Sequence, residues 1–182
     1  MFKSFSLYAV AASYSCLAAC TAGDPQSDAQ STSQSPPAPD YAVAPLDLST
    51  PRATAYSMMI AMYRGDAEMV DAVFAEGGTL RRVSADGTVS GNARQAWRDR
   101  VDTFEVGQVN EEIFKLKIEQ FENLATVWAP FVIRVNGDIA GCGVNHLAMV
   151  RDGGNWRIAA GMDTPAPKES CAEFKAKTLS NE

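Results

Sequence analysis

Few side chains in this sequence combine a reactive type with a setting that could use it. Asn145 lies in GCGVNHLAM, where strand parity groups it with Gly143, Leu147 and Met149. An amide on a mostly apolar face could orient a ligand if that face lines a pocket; otherwise it is a buried amide bonded to nearby backbone. Arg82, in the pair Arg81-Arg82, could recruit an anion at a pocket mouth or simply be solvated. Asp163, at the end of the last apolar run, could act as an acid or base, or only as a turn residue. Tyr56, Met58, Met62, Trp97 and Met149 could wall the pocket, or fill a core as helix- and strand-spaced apolar residues commonly do. The single histidine, His146, faces away from Asn145 by parity and has no partner cluster, so neither a metal site nor a nucleophile relay is expected. A phosphate-cradling glycine loop, a zinc-binding HExxH helix and a G-x-S-x-G elbow are all missing from the sequence, and no cofactor is expected.

The amino terminus carries an address rather than chemistry. One positive charge, Lys3, precedes a mostly apolar run from Phe5 to Ala19 that is short for a permanent span and typical of a secretory signal. The run ends in Leu17-Ala18-Ala19-Cys20, which resembles the lipobox of bacterial lipoproteins. The resemblance implies cleavage before Cys20 and lipidation there, with Thr21 after it favouring the outer membrane and a domain facing the periplasm. An ordinary secretory peptide with a small-residue cleavage site is the alternative. The expected division is a signal over 1–19, a lipidated cysteine and disordered tether over 20–49, a folded domain over 50–165 and a tail over 166–182. The tether follows from a stretch rich in Ser, Gln, Pro, Ala and Asp that has too little apolar surface to offset its ordering entropy.

Roughly 130 residues remain for one domain with its own core. Without Lys3 they and the tether carry 15 basic and 22 acidic side chains, a balance unsuited to nucleic acid or to anionic lipid surfaces. Any membrane attachment should therefore come from lipid alone. Cys142 and Cys171 remain as a pair. In an exported protein they could form one disulfide, or stay as a buried thiol and a free thiol in a frayed tail.

The positioning elements are read from periodicity. Thr50-Pro51 opens a helix with apolar positions at Ala55, Met58, Met59, Met62 and Tyr63, stopped by Gly65. Asp66 caps a short second helix to about Phe74, and Gly77-Gly78 breaks it. Thr79–Val83 and Thr88–Ser90 flank a turn at Ala85-Asp86-Gly87. Asn92 with Gln95 resembles a capping box for a third helix ending near Phe104. Glu112–Phe121 alternates as one strand. From Leu124 on, Asn136-Gly137-Asp138 and Asp152-Gly153-Gly154-Asn155 join three strands into an antiparallel meander, with Trp156, Ile158, Ala160 and Met162 on one face of the last. Pro130 implies an edge or a bulge.

Helices first and strands last give an α+β class. Three segments, AYSMMIAMYRGDAEMVDAVFAEGGTL, SGNARQAWRDRV and LATVWAPFVIRVNGDIAGCGVNHLAMVRDGGNWRIA, resemble the nuclear transport factor 2-like superfamily over residues 50–164. The resemblance implies a cone-shaped, curved antiparallel sheet wrapped around about three N-terminal helices, and a homodimer through the sheet. Some relatives are enzymes, ketosteroid isomerases among them. Matched locally, their tyrosine falls on Met58, their base on Arg82 and their oxyanion aspartate on Asn145, so that isomerase mechanism is not expected here.

Three functions remain open. The leading one is a non-catalytic domain binding a small apolar or amphipathic molecule, or a protein partner. The second is a small lyase, isomerase or hydrolase using Asn145, Asp163 and Arg82. Catalysis would require a carboxylate or tyrosine inside the pocket with a displaced pKa. The third is a filled, structural module.

Overall fold

The computed structural model describes residues 37–180. The signal, Cys20 and the tether up to residue 36 lie outside those residues. Helix α1, Pro51–Arg64, starts where Thr50 Oγ1 accepts from Ala53 N–H at 3.0 Å, and it ends at Gly65, whose left-handed φ of 65° closes the cap. A side chain at Gly65 would also collide with the carbonyl of Phe104. Helix α2, Ala67–Val73, is capped by Asp66. Its chain then continues directly into strand β1, Phe74–Arg82, so Gly77 and Gly78 lie within a strand and do not break a helix. A register shift between Phe74 and Thr79 shows what they provide, which is an irregularity in the edge strand.

Helix α3, Arg94–Val101, is shorter than expected and begins without a side-chain cap. Asn92 Oδ1 instead accepts from Leu80 N–H at 3.0 Å and Arg94 N–H at 3.1 Å, tying the helix entry to β1. The turn expected after β1 joins two short flanking segments: Val83 bridges Val89, Ser84 N–H donates to the Thr88 carbonyl at 2.8 Å and Ser90 N–H to the Arg82 carbonyl at 2.9 Å.

The alternating run read as one strand is two, β2 (Val109–Ile113) and β3 (Lys117–Phe121), divided at Lys115, whose φ is 48°. Both pair with the same edge of β4, Leu124–Val135. Pro130 sits at the gap between them, where β4 needs no N–H to donate, so proline is accommodated in an interior strand. Strands β5, Asp138–Asp152, and β6, Asn155–Ala166, complete the sheet.

The strand order is β1-β6-β5-β4-β2, with β3 also on β4. Strand β1 runs parallel to β6, and the outer edges, β1 on one side and β2 with β3 on the other, do not join. The sheet is therefore mixed and open. The expected cone-shaped antiparallel sheet wrapped around about three helices is corrected to an open mixed sheet with α1 packed on one face. Local periodicity favoured consecutive antiparallel pairing and could not show that β1 joins the last strand.

The core joins Met58, Met59 and Met62 of α1 to Val127, Ala129 and Phe131 of β4 and Leu147 and Met149 of β5. Residues expected in the tether contribute too. Tyr41, Ala44 and Leu48 pack against this core, Arg64 Nε donates to the Tyr41 carbonyl at 3.1 Å, and Trp156 N–H donates to the Leu48 carbonyl at 2.8 Å.

The carboxy terminus is structured as well. A 3-10 turn at Lys168–Ser170 leads into α4, Cys171–Ser180, and Cys171 is disulfide-bonded to Cys142. Around that bond Phe114, Val132 and Phe174 form a second cluster on the sheet face opposite α1. The bridge closes a loop with a sequence separation of 29, which should contribute about 2–4 kcal/mol by restricting the unfolded chain. Cys171→Ser is expected to lower the unfolding free energy by that amount in urea titrations, and a non-reducing peptide map should recover the linked pair. A normal midpoint in the variant would show that α4 does not depend on the bridge.

Candidate functional site

The site grows from the inward parity of β2. Val109, Glu111 and Ile113 are all buried and alternate with half-buried neighbours, so a carboxyl group is carried inward with two apolar residues. Asn145, on β5, is buried beside it, and its Nδ2 donates to Glu111 Oε1 at 2.7 Å. Among the described residues neither side chain makes another hydrogen bond. Both face a cavity of about 560 Å³, within the range that small-molecule sites occupy.

Met58, Met59 and Met62 from α1 and Leu80, Trp97 and Ile133 give this cavity a largely apolar wall. Its mouth is polar. Arg82 Nε donates to both carboxylate oxygens of Asp163, at 3.1 and 3.0 Å, and Arg82 Nη2 also donates to Asp163 Oδ2. Arg81 Nη1 donates to the Ser90 carbonyl at 2.9 Å. Arg100 reaches the lining from the end of α3.

A bulge decides where Asp163 points. Ala148 pairs with Ala160, but Met149 pairs with Ile158, so Ala159 is an extra residue in β6. Beyond it the side-chain alternation reverses. Trp156 and Ile158 are buried, whereas Met162, expected with them, is exposed on the other face. The same reversal sets Asp163 opposite Asn145 at the cavity.

The structure therefore brings Asn145, Arg82, Asp163, Met58, Met62 and Trp97 together. Two expected wall residues do not join them. Met149 is fully buried in the core, and Tyr56 packs edge-on against Tyr41, ring centroids 6.4 Å apart. His146 bonds to Thr126 across the opposite face, 2.7 Å away. Arg94 and Arg98 pair with Asp71 on the α3 exterior, but Arg100, on the same helix, does not. The residue that sequence reasoning missed is Glu111. The pattern Val109-Asn110-Glu111-Glu112-Ile113 contained the signal, an acidic residue in phase with two flanking aliphatic ones. No group of three or more potential metal ligands occurs among the described residues.

Burial pushes the Glu111 carboxyl up to about 7. The hydrogen bond from Asn145 opposes the rise, the negative charge of Asp163 adds to it, and Arg82 opposes it. Arg82 in turn is held more firmly protonated, chiefly by its bond to Asp163. Near neutrality Glu111 can thus either donate or accept a proton, which an ordinary carboxylate cannot.

The stability consequence has a definite sign. An acid whose folded pKa is raised costs nothing below its unfolded value of 4.5, and the full penalty is present above about 7. The penalty is about 3 kcal/mol. Glu111→Gln keeps an acceptor for Asn145 and cannot ionise. The variant should gain on the wild type by about that amount as pH rises from 4.5 through 7. A wild-type-minus-variant difference that stays flat over that window, in denaturant titrations, would contradict the burial of an ionisable Glu111.

Comparison with known proteins places this geometry in a family. The family described as "Putative lumazine-binding" matches residues 49–162. Among solved structures the chain is similar to a cystatin-like-fold protein of unknown function from Nostoc punctiforme, at 19% identity over 64% of this chain and 88% of that one, with a TM-score of 0.52. A Mycobacterium tuberculosis protein of unknown function aligns at 21% identity over 63% and 73%, also with a TM-score of 0.52. A nuclear transport factor 2-like protein of unknown function from Pseudomonas putida aligns at 17% identity over 64% and 83%, with a TM-score of 0.50. These likenesses establish a nuclear transport factor 2-like, cystatin-like fold and say nothing of activity. No curated protein matches the chain.

Proposed function

We propose that this chain, a member of the family described as "Putative lumazine-binding", binds a small, largely apolar molecule in the cavity beside α1. The observation that carries the reading is the Glu111–Asn145 pair, buried yet left with unused hydrogen-bonding capacity toward the cavity. Together a protonated carboxyl and a primary amide offer donors and acceptors side by side, suited to an amide-like or carbonyl edge of a flat ring. Lumazine, named in the family description, has such edges and is the natural first probe.

One observation favours a second reading, proton transfer on the bound molecule. Glu111 meets the condition set for catalysis, a carboxylate within the pocket whose pKa is displaced toward neutrality. In that reading Glu111 moves the proton, Asn145 holds the carboxyl in place, and the Arg82–Asp163 pair sets the field around it.

Native mass spectrometry of the protein purified from its own host addresses both readings. A discrete bound mass is expected in the wild type and absent from Asn145→Leu. If Glu111 transfers a proton in a reaction that changes mass, the wild type should carry substrate and product, and Glu111→Gln only one of them. An empty wild type that also fails to bind lumazine would refute the binding reading. The same spectra report oligomeric mass. A homodimer through the sheet would use Phe121, Leu124, Trp128 and Met162, which stay exposed beside the part covered by α4.

For location, the proposal is export and lipid attachment at Cys20, to the outer membrane with the domain in the periplasm. Its support is the Leu17-Ala18-Ala19-Cys20 sequence followed by Thr21. Cys20→Ser should move the protein from the membrane to the soluble fraction; retention in the membrane would exclude this anchor.

A further inference from the structure

The charges at the pocket mouth oppose those of the chain. The sequence carries a net charge of −6, yet the lining holds three guanidinium groups, Arg81, Arg82 and Arg100, against two carboxyls, Glu111 and Asp163. Asp163 is committed to Arg82, and Arg81 is held by the Ser90 carbonyl. Arg100 differs from both. Among the described residues its side chain has no hydrogen bond and no carboxylate within salt-bridge distance, and its guanidinium carbon lies 5.9 Å from the centre of the Phe104 ring. Ring and cation both line the same cavity, beside Trp97.

We infer that the ligand is an amphipathic organic anion, its apolar body seated against Met58, Met62 and Trp97 and its acidic group paired with Arg100 at the mouth. This rests on the small-molecule reading above and narrows it to a charge class. A neutral apolar molecule would fill the same walls but leave the unpartnered cation unused. A polar dianion would meet Arg100 but lose the apolar wall. The remaining excess of positive charge raises the local concentration of anions in a protein that otherwise repels them. Glu111 reinforces the selection, because its protonated form adds no negative charge to the floor while still offering a donor.

Two probes sharing one ring system separate charge from shape. Anilinonaphthalene sulfonate is an apolar anion, and N-phenylnaphthylamine is the same body without the sulfonate. Both are titrated into the full-length protein at low salt and followed by fluorescence. The anion is expected to bind about tenfold more tightly, as one unscreened charge-assisted contact supports. Arg100→Gln should abolish that preference and leave the neutral probe within about twofold of wild type. Arg100→Lys should restore most of it, since a point charge can still pair with the sulfonate. Added salt should shrink the preference in the wild type and in Arg100→Lys, and leave Arg100→Gln unchanged.

Equal affinity for the two probes in the wild type would overturn the anion assignment and leave small-molecule binding intact. So would an Arg100→Gln variant that keeps the preference, or one that weakens both probes alike. Failure of both probes to bind at all would overturn the small-molecule reading together with this one.

Discussion

A carboxyl group with one hydrogen-bond partner, buried where its charge is poorly solvated, is the constraint on which the rest of the site depends. Glu111 and Asn145 come from β2 and β5, strands that flank β4 on opposite sides. Their bond spans the intervening strand on the face covered by α1. Ionising Glu111 there removes solvation that a single amide cannot replace. The protein keeps the residue at a stability cost above neutral pH, and such a cost is commonly retained where a site uses the group.

The fold supplies that constraint through irregularities in regular strands. The gap between β2 and β3 leaves β4 a place for Pro130, and the extra residue Ala159 turns Asp163 toward the cavity. Parallel pairing of β1 with β6 then brings Arg82 beside Asp163, with these two residues directly in register. The bulge at Ala159 re-aims a side chain that uniform alternation would have placed elsewhere. The disulfide and α4 act on the opposite face, covering apolar surface around Val132 and Cys142 without touching the cavity.

Signals that depend on a few neighbouring residues were legible in the sequence. Thr50 and Gly65 bound α1 where capping chemistry requires, and both glycine turns join the strands they were expected to join. The inward direction of Asn145 needed only uninterrupted parity from Gly143 to Met149. What depended on distant chain was not legible. Nothing near β1 marks its partner as β6, so the sheet read as antiparallel rather than mixed, and the cone shape that the resemblance implied was not checked by any local signal. Met162 and Asp163 exchanged faces through a bulge in a stretch, Ile158-Ala159-Ala160-Gly161, that carries no turn residue until its last position. Glu111 was hidden because alternation was counted from Glu112 straight through the break that Lys115 imposes; two short strands looked like one long one.

The most direct measurement is a carbon-detected NMR titration of the Glu111 side-chain carboxyl in the wild type, assigned by its loss in Glu111→Gln. The account predicts a single titration with its midpoint at about 7, moving further up when Arg82 is replaced by glutamine, since Arg82 favours the charged form. A midpoint near the unperturbed value of 4.5 would show a solvated carboxylate and contradict the buried Glu111–Asn145 site.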